Sequence, residues 1–191
     1  MEEDISLITL SLENSKNYAK IVEKYEKPLL RYLLRISNIS REEGEDLLQN
    51  IFLKAYQNLN DFDVNLKFSS WIYRIAHNEV ISAWRKKSSR VVEINLEKTE
   101  ITQLLASALD IPAETDEKFL AEFVHKTLAK LSQKYREVLI LRYLESKDYS
   151  EISDILRKPM GSVATLVARA KKIFEKEARR ANFSNLIFSD E

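Results

Sequence analysis

The chain has 191 residues, of which 45% are hydrophobic, and its 30 basic and 30 acidic residues cancel to a formal net charge of zero. Two glycines and three prolines are few for this length, which favours long helices over tight turns. The lack of cysteine excludes a disulfide framework and a thiolate metal site. With only two histidines and no second ligand at metal-binding spacing, we expect neither a metal nor a cofactor. The N-terminus lacks the basic-then-apolar order of a signal peptide, and no apolar run approaches the roughly 20 residues that span a membrane, so we expect a cytoplasmic protein.

Charge is distributed unevenly along the chain. Residues 91–118 carry two basic and seven acidic residues, whereas residues 119–180 carry fourteen basic and eight acidic residues. The few glycines and prolines and the helical spacing of apolar residues predict an all-α protein, and the charge pattern predicts that it has two small helical domains, 1–90 and 117–180. An acidic linker at 91–116 joins them, and a tail at 181–191 follows. The basic second block suits a partner that carries phosphate groups.

The first block contains apolar residues at helical spacing. Residues 15–36 form one such segment, and Pro28 within it is expected to kink the helix or to start a new one. The next helix begins at a capping box formed by Ser40 and Glu43 and runs to about Leu59.

A turn-rich connector at 58–67 leads to a third helix at 68–90. One side of this helix is apolar, and the other side carries hydrogen-bond donors, namely Arg74, Asn78 and Arg85. Aromatic and basic groups on one rigid helix suit a protein that holds an opened nucleic-acid strand. The alternative is a bundle helix with a solvated basic end.

The second block ends in a short helix, a tight break and a longer helix. The short helix is capped by Asp148, the break spans residues 157–160 and contains Pro159, and the longer helix runs from about Gly161 to Ala181. This order predicts a helix-turn-helix whose second helix enters a DNA major groove.

Three stretches together resemble the extracytoplasmic-function (ECF) group of the sigma-70 family. EDLLQNIFLKAYQNLNDF (residues 45–62) and FSSWIYRIAHNEVISAWRKK (68–87) are similar to sigma region 2, and LAKLSQKYREVLILRYLESKDYSEISDILRKPMGSVATLVARAKK (128–172) is similar to region 4. The resemblance implies a dissociable specificity subunit of bacterial RNA polymerase that is not itself an enzyme. Its implied partners are core RNA polymerase, promoter DNA and an anti-sigma factor.

The resemblance also implies three sets of functional residues. Residues that bind core polymerase are expected at Asp46, Leu47, Gln49, Asn50 and Phe52. Residues that read and open the −10 promoter element are expected at Asn65, Lys67, Ser69, Trp71, Arg74, Asn78, Arg85 and Lys86. Residues that contact the −35 element are expected at Arg157, Lys158, Ser162, Thr165, Arg169 and Lys172.

The recognition helix departs from the family pattern. The family usually reads Gly-Thr-Val-Lys-Ser-Arg at this point, but the Lys and Arg positions hold Ala164 and Leu166. A bidentate base contact contributes about 1–3 kcal/mol of discrimination, and neither residue can make one. Arg157 replaces the usual turn glycine and must accept a less favourable backbone conformation or a shifted turn. We therefore expect weak or unusual −35 reading.

Two other functions fit parts of the sequence. A stand-alone helix-turn-helix regulator with an N-terminal sensor domain would explain the second block equally well, but it would not explain the first. An enzyme has little support, because the chain contains no glycine-rich phosphate loop and no nucleophile elbow.

Overall fold

The computed structural model describes residues 2–37, 39–86 and 117–181, so the expected linker at 91–116 and the tail after residue 181 lie outside the described residues. All regular elements in those ranges are helical, which confirms the expected fold class. The first compact unit contains α1 (Glu2–Glu13), α2 (Tyr18–Ile36), α3 (Arg41–Gln57) and α4 (Phe68–Lys86). The second contains α5 (Glu117–Lys130), α6 (Gln133–Leu139) and α8 (Met160–Arg180), and α7 (Tyr149–Leu156) joins α6 to α8 along the chain. None of the described helices is long and apolar enough to cross a bilayer.

Three helices build the core of the first unit. α2 packs against α3 and α4, and α3 packs against α4. Their inward side chains, such as Tyr32, Ile51 and Ile72, are fully buried. α3 lies close to α2 at Gly44, where an added Cβ would stand 3.1 Å from side-chain carbons of α2. Even an alanine at this position would press into α2.

Two features of the first unit differ from the sequence expectation. α2 is continuous from Tyr18 to Ile36, so of the two alternatives for Pro28 the start of a new helix is wrong, and the kink stays a prediction. Proline removes one backbone hydrogen bond, but burial of Tyr25 and Leu29 on either side outweighs that local cost. The sequence also did not predict α1, which packs on α2. Lys24 of α2 supports it, with its Nζ 2.7 Å from Glu3 Oε2 and 2.9 Å from Asp4 Oδ1.

The second unit is organised around α8. Both α5 and α6 pack against α8, and the apolar residues Val124, Val138 and Val163 are fully buried. After Leu139 the chain continues as a wider π-helical turn, Ile140–Leu144, in which the Glu145 N–H donates to the Ile140 carbonyl at 2.9 Å.

The carbonyl end of α5 is capped by a side chain from α6. The Arg136 guanidinium donates to the carbonyls of Leu128 at 3.0 Å, Ala129 at 2.9 Å and Leu131 at 3.1 Å. The Leu128 carbonyl also accepts from the Leu131 N–H at 3.1 Å, whereas helix-end carbonyls in general lack partners along their own helix, so Arg136 supplies donors at the end of α5 and ties α5 to α6. The neighbouring Glu137 is buried, and burial raises the pKa of its carboxyl group above the usual 4.5, although a hydrogen bond from Gln133 opposes the shift.

Candidate nucleic-acid interface

The outer face of α3 is an exposed polar edge. The predicted capping box starts this helix, since the Glu43 N–H donates to Ser40 Oγ at 3.2 Å and the Ser40 N–H donates to Glu43 Oε2 at 3.0 Å. Three of the five residues expected to bind polymerase are exposed on it: Asp46, Gln49 and Asn50. The Asn50 side-chain amide donates to the Asp46 carbonyl at 3.1 Å, which fixes the amide along the helix.

The apolar members of the same set lie elsewhere. Phe52 is only 7% exposed and packs in the core, and Leu47 is half-buried. Leu53 is 55% exposed and follows Gln49 by one helical turn, so it extends the polar edge with an apolar side chain. The sequence analysis did not select Leu53, although its position one turn after Gln49 was the signal that it shares the outward side of α3.

The loop before α4 is held at both ends by aromatic residues. The Phe62 and Phe68 rings meet edge to face, with centroids 5.3 Å apart, and Tyr25 of α2 stands 5.5 Å from Phe68. Residues 63–67 therefore begin and end at one aromatic cluster, which restricts the positions that the loop can take. Within it, the Asp63 carboxylate accepts hydrogen bonds from the backbone and side-chain N–H groups of Asn65, both at 2.9 Å.

This loop presents apolar side chains that the sequence analysis did not select. Val64 is 52% exposed and Leu66 is 38% exposed, on either side of the predicted reader Asn65. Lys67, also predicted, is exposed, and Ser69 in the first turn of α4 is half-buried. The signal available in the sequence was the presence of two apolar residues, Val64 and Leu66, in an otherwise polar loop.

Trp71 belongs to the aromatic cluster. It is 9% exposed, and its ring lies 5.4 Å from both Phe62 and Phe68. The structure thus gives Trp71 a packing role, and its predicted contact with DNA stays a prediction.

Two polar contacts fix the rotation of α4 about its axis. The Tyr32 hydroxyl of α2 lies 3.1 Å from His77 Nδ1, and Lys54 Nζ of α3 lies 2.7 Å from Glu79 Oε1. Between these two anchored positions, Asn78 is exposed, and Arg74 is half-buried one turn earlier. Arg85 and Lys86 occupy the last turn of α4, and their side chains lie outside the described residues.

The predicted helix-turn-helix is present as α7, a break and α8. The Glu151 N–H donates to Asp148 Oδ1 at 2.8 Å, and the Asp148 N–H donates to Glu151 Oε2 at 3.0 Å, so a capping box starts α7. Arg157 in the break has a φ of 50°, which confirms that it occupies the left-handed conformation that glycine accepts more easily.

All six residues expected to contact the −35 element are exposed: Arg157, Lys158, Ser162, Thr165, Arg169 and Lys172. The Thr165 hydroxyl donates to the Gly161 carbonyl at 2.9 Å, so its hydrogen is already used within α8. Ala164 and Leu166 are half-buried. In the part of the chain that the structure describes, no cluster of three or more acidic, histidine or cysteine side chains is arranged to hold a metal ion.

Comparison with known proteins matches both units. Residues 21–90 match Sigma-70 region 2, and residues 124–173 match Sigma-70, region 4. The chain is 32% identical over 169 residues to the ECF RNA polymerase sigma factor SigW of Bacillus subtilis, which covers 85% of this chain and 89% of SigW. It is 26% identical over 183 residues to the RNA polymerase sigma-H factor of Pseudomonas aeruginosa, which covers 92% of this chain and 93% of that protein.

A solved structure supports the same fold. The sigma factor RpoE from Bartonella quintana, crystallised with the anti-sigma factor NepR, matches with a TM-score of 0.65 at 20% identity, over 86% of this chain and 98% of RpoE. The two sigma regions together cover more than half of the chain, and the SigW match extends over most of both proteins. The chain therefore belongs to the extracytoplasmic-function group of the sigma-70 family of RNA polymerase sigma factors.

Proposed function

We propose that this sigma factor docks on core polymerase through the outer face of α3, opens the −10 element with the 63–67 loop and α4, and contacts the −35 element through α7 and α8. As a sigma factor, the protein binds core RNA polymerase and directs promoter recognition, DNA melting and transcription initiation. In this proposal the polymerase joins the nucleotides, and the sigma factor supplies binding and positioning.

The docking edge combines polar and apolar groups in the way that interfaces do. Asp46, Gln49 and Asn50 supply hydrogen-bonding groups, and Leu53 supplies exposed apolar surface one turn further along α3. Phe52 supports the edge from the core side, because it is buried beneath it.

The 63–67 loop and α4 are suited to hold an unpaired base. Flipping a base costs a few kcal/mol, which apolar and hydrogen-bonding contacts to the extruded base have to offset. Val64 and Leu66 offer exposed apolar contacts beside Asn65, and Arg74 and Asn78 offer donors on the adjacent helix. Because the aromatic cluster already restricts the loop, little ordering is left for the moment of binding.

Control by an antagonist is the last part of the proposal. RpoE was crystallised with an anti-sigma factor, and we extend this kind of control to the present chain. An antagonist that covers the exposed α3 edge would block docking on polymerase, since both partners would need Gln49, Asn50 and Leu53.

The observation that carries the proposal is the fixed rotation of α4, which directs Asn78 outward between two anchored positions. The test is transcription in vitro with core polymerase, on a duplex promoter and on the same promoter with a pre-melted −10 segment. We expect Arg74→Ala and Asn78→Ala to reduce initiation on the duplex by about tenfold, and the pre-melted template to restore most of it.

Lys20→Ala is the matched control, because it removes a positive charge from an exposed position on α2. It should leave both templates unaffected. Equal loss on both templates for the α4 variants would contradict a melting role. Failure of the wild-type chain to bind core polymerase would contradict the whole proposal.

A further inference from the structure

The second half of α8 carries a basic stripe that continues past the matched sigma region. The match to region 4 ends at residue 173, whereas α8 continues to Arg180. Six basic and two acidic residues lie in this helix. Its buried face consists of Val163, Val167, Ala170, Phe174 and Ala178. At 100° per residue, the centre of the opposite face passes through Arg169, Lys172, Lys176 and Arg179, all of which are exposed.

These four positions follow one another at intervals of three, four and three residues, so they form a single line along the helix. At 1.5 Å per residue, the line from Arg169 to Arg179 is about 15 Å long. It starts on the face that carries the predicted −35 residues Ser162 and Thr165, which are also exposed.

The acids of α8 do not neutralise this stripe. Glu177 pairs with Arg180, 3.0 Å away, so this acid neutralises Arg180 and not a residue of the stripe. Glu175 borders the shallow depression that Lys172, Lys176 and Arg179 line. Over the described ranges, no salt bridge engages Lys172, Lys176 or Arg179. Three uncompensated charges on one face are therefore available to an anionic partner.

We infer that Lys176 and Arg179 contact DNA phosphates that flank the −35 element and strengthen promoter binding without reading sequence. The inference rests on the proposed function, because it needs α8 to lie on promoter DNA. Duplex DNA carries one negative charge per about 1.7 Å of axis, so a basic line continuous with the reading face meets several phosphates. The half-buried Ala164 and Leu166 offer no hydrogen bonds to bases, which increases the share of the affinity at this element that phosphate contacts supply.

The test compares two holoenzymes assembled from core polymerase and the full chain. One carries Lys176→Gln with Arg179→Gln, and the other carries Lys130→Gln with Lys134→Gln. The control pair removes the same charge from exposed positions on α5 and α6, outside the stripe on α8. Closed-complex affinity is measured from 0.05 to about 0.3 M KCl, a range over which phosphate contacts change affinity strongly. The DNA is a promoter fragment with its own −35 sequence or with that sequence scrambled.

For the α8 pair we expect the slope of log K against log [KCl] to become shallower by about 1.8, since each phosphate contact contributes about 0.9. The loss of affinity should be equal on both DNA fragments and should shrink as salt rises. The control pair should keep the wild-type slope, and thermal unfolding should be unchanged for all variants.

Three results would overturn the inference. An α8 pair with the slope of the control would mean that the stripe faces solvent. A loss confined to the unscrambled promoter would mean that these residues read bases. A loss of core-polymerase binding, measured without DNA, would mean that the stripe contacts protein. A wild-type holoenzyme that forms no promoter complex would instead refute the proposed function.

Discussion

Substitutions at Trp71 test whether this residue supports the interface by packing or contacts DNA itself. The Trp71 ring is 9% exposed and stands 5.4 Å from the rings of Phe62 and Phe68. Trp71→Phe keeps an aromatic ring in the cluster and removes roughly 40 Å² of buried apolar surface, which at about 25 cal/mol per Å² corresponds to about 1 kcal/mol. Trp71→Ala empties the site and should lower the free energy of unfolding by about 3–5 kcal/mol.

The assay pairs urea unfolding, followed by circular dichroism, with promoter opening, followed by the fluorescence of 2-aminopurine in the −10 segment. We expect Trp71→Phe to be destabilised by about 1 kcal/mol while opening stays within about threefold of the wild type. Asn78→Ala should behave in the opposite way. Its free energy of unfolding should stay within about 0.5 kcal/mol of the wild type because Asn78 is exposed, whereas promoter opening should be clearly reduced.

One result would refute this reasoning. If Trp71→Phe lost opening as severely as Asn78→Ala while its unfolding curve matched the expected small shift, the indole would contact DNA directly. The packing role would then describe the free protein only, and the loop would have to move to expose the ring on the promoter.

Three further predictions concern α6 and the break before α8. Arg136→Met should lower the free energy of unfolding of the second unit by about 3 kcal/mol, because the three hydrogen bonds from Arg136 to the carbonyls of Leu128, Ala129 and Leu131 are lost at roughly 1 kcal/mol each. Urea unfolding with no change would show that the cap is dispensable. Glu137→Gln should gain stability relative to the wild type as pH rises above about 4.5. Burial raises the pKa of Glu137 in the folded state, so the folded wild type binds this proton more tightly than the unfolded chain does. The wild type therefore loses the stability that this proton contributes once the carboxyl group ionises. Unfolding measured from pH 4.5 to 7.5 checks this, and a difference that does not vary with pH would contradict it. Arg157→Gly should raise the free energy of unfolding by about 0.5–1 kcal/mol, since a φ of 50° is strained for a residue that has a Cβ. The same variant should weaken −35 affinity if the guanidinium contacts DNA. A destabilised variant would show that the Arg157 side chain stabilises the fold.

The sequence predicted the features that depend on near neighbours along the chain. The capping boxes at Ser40–Glu43 and Asp148–Glu151 require only a hydroxyl or carboxylate three residues before a glutamate, and both are formed. The strained backbone at Arg157 follows likewise from a turn position that a helix-turn-helix requires. Family membership rests on the same local patterns, because the sigma-region motifs are contiguous stretches.

Packing between distant helices decided the rest. α2 passes through Pro28 because burial against α3 and α4 outweighs one missing hydrogen bond, a balance that no local pattern contains. Phe52 and Leu53 are consecutive apolar residues, yet one is 7% exposed and the other 55%. Successive helical positions differ by 100°, so the placement of the neighbouring helices determines which residue is buried. For the same reason the sequence by itself could place Trp71 on α4, the helix predicted to read the promoter, whereas only the tertiary structure showed that the ring faces Phe62 and Phe68 and leaves the exposed positions to Asn78 and the loop.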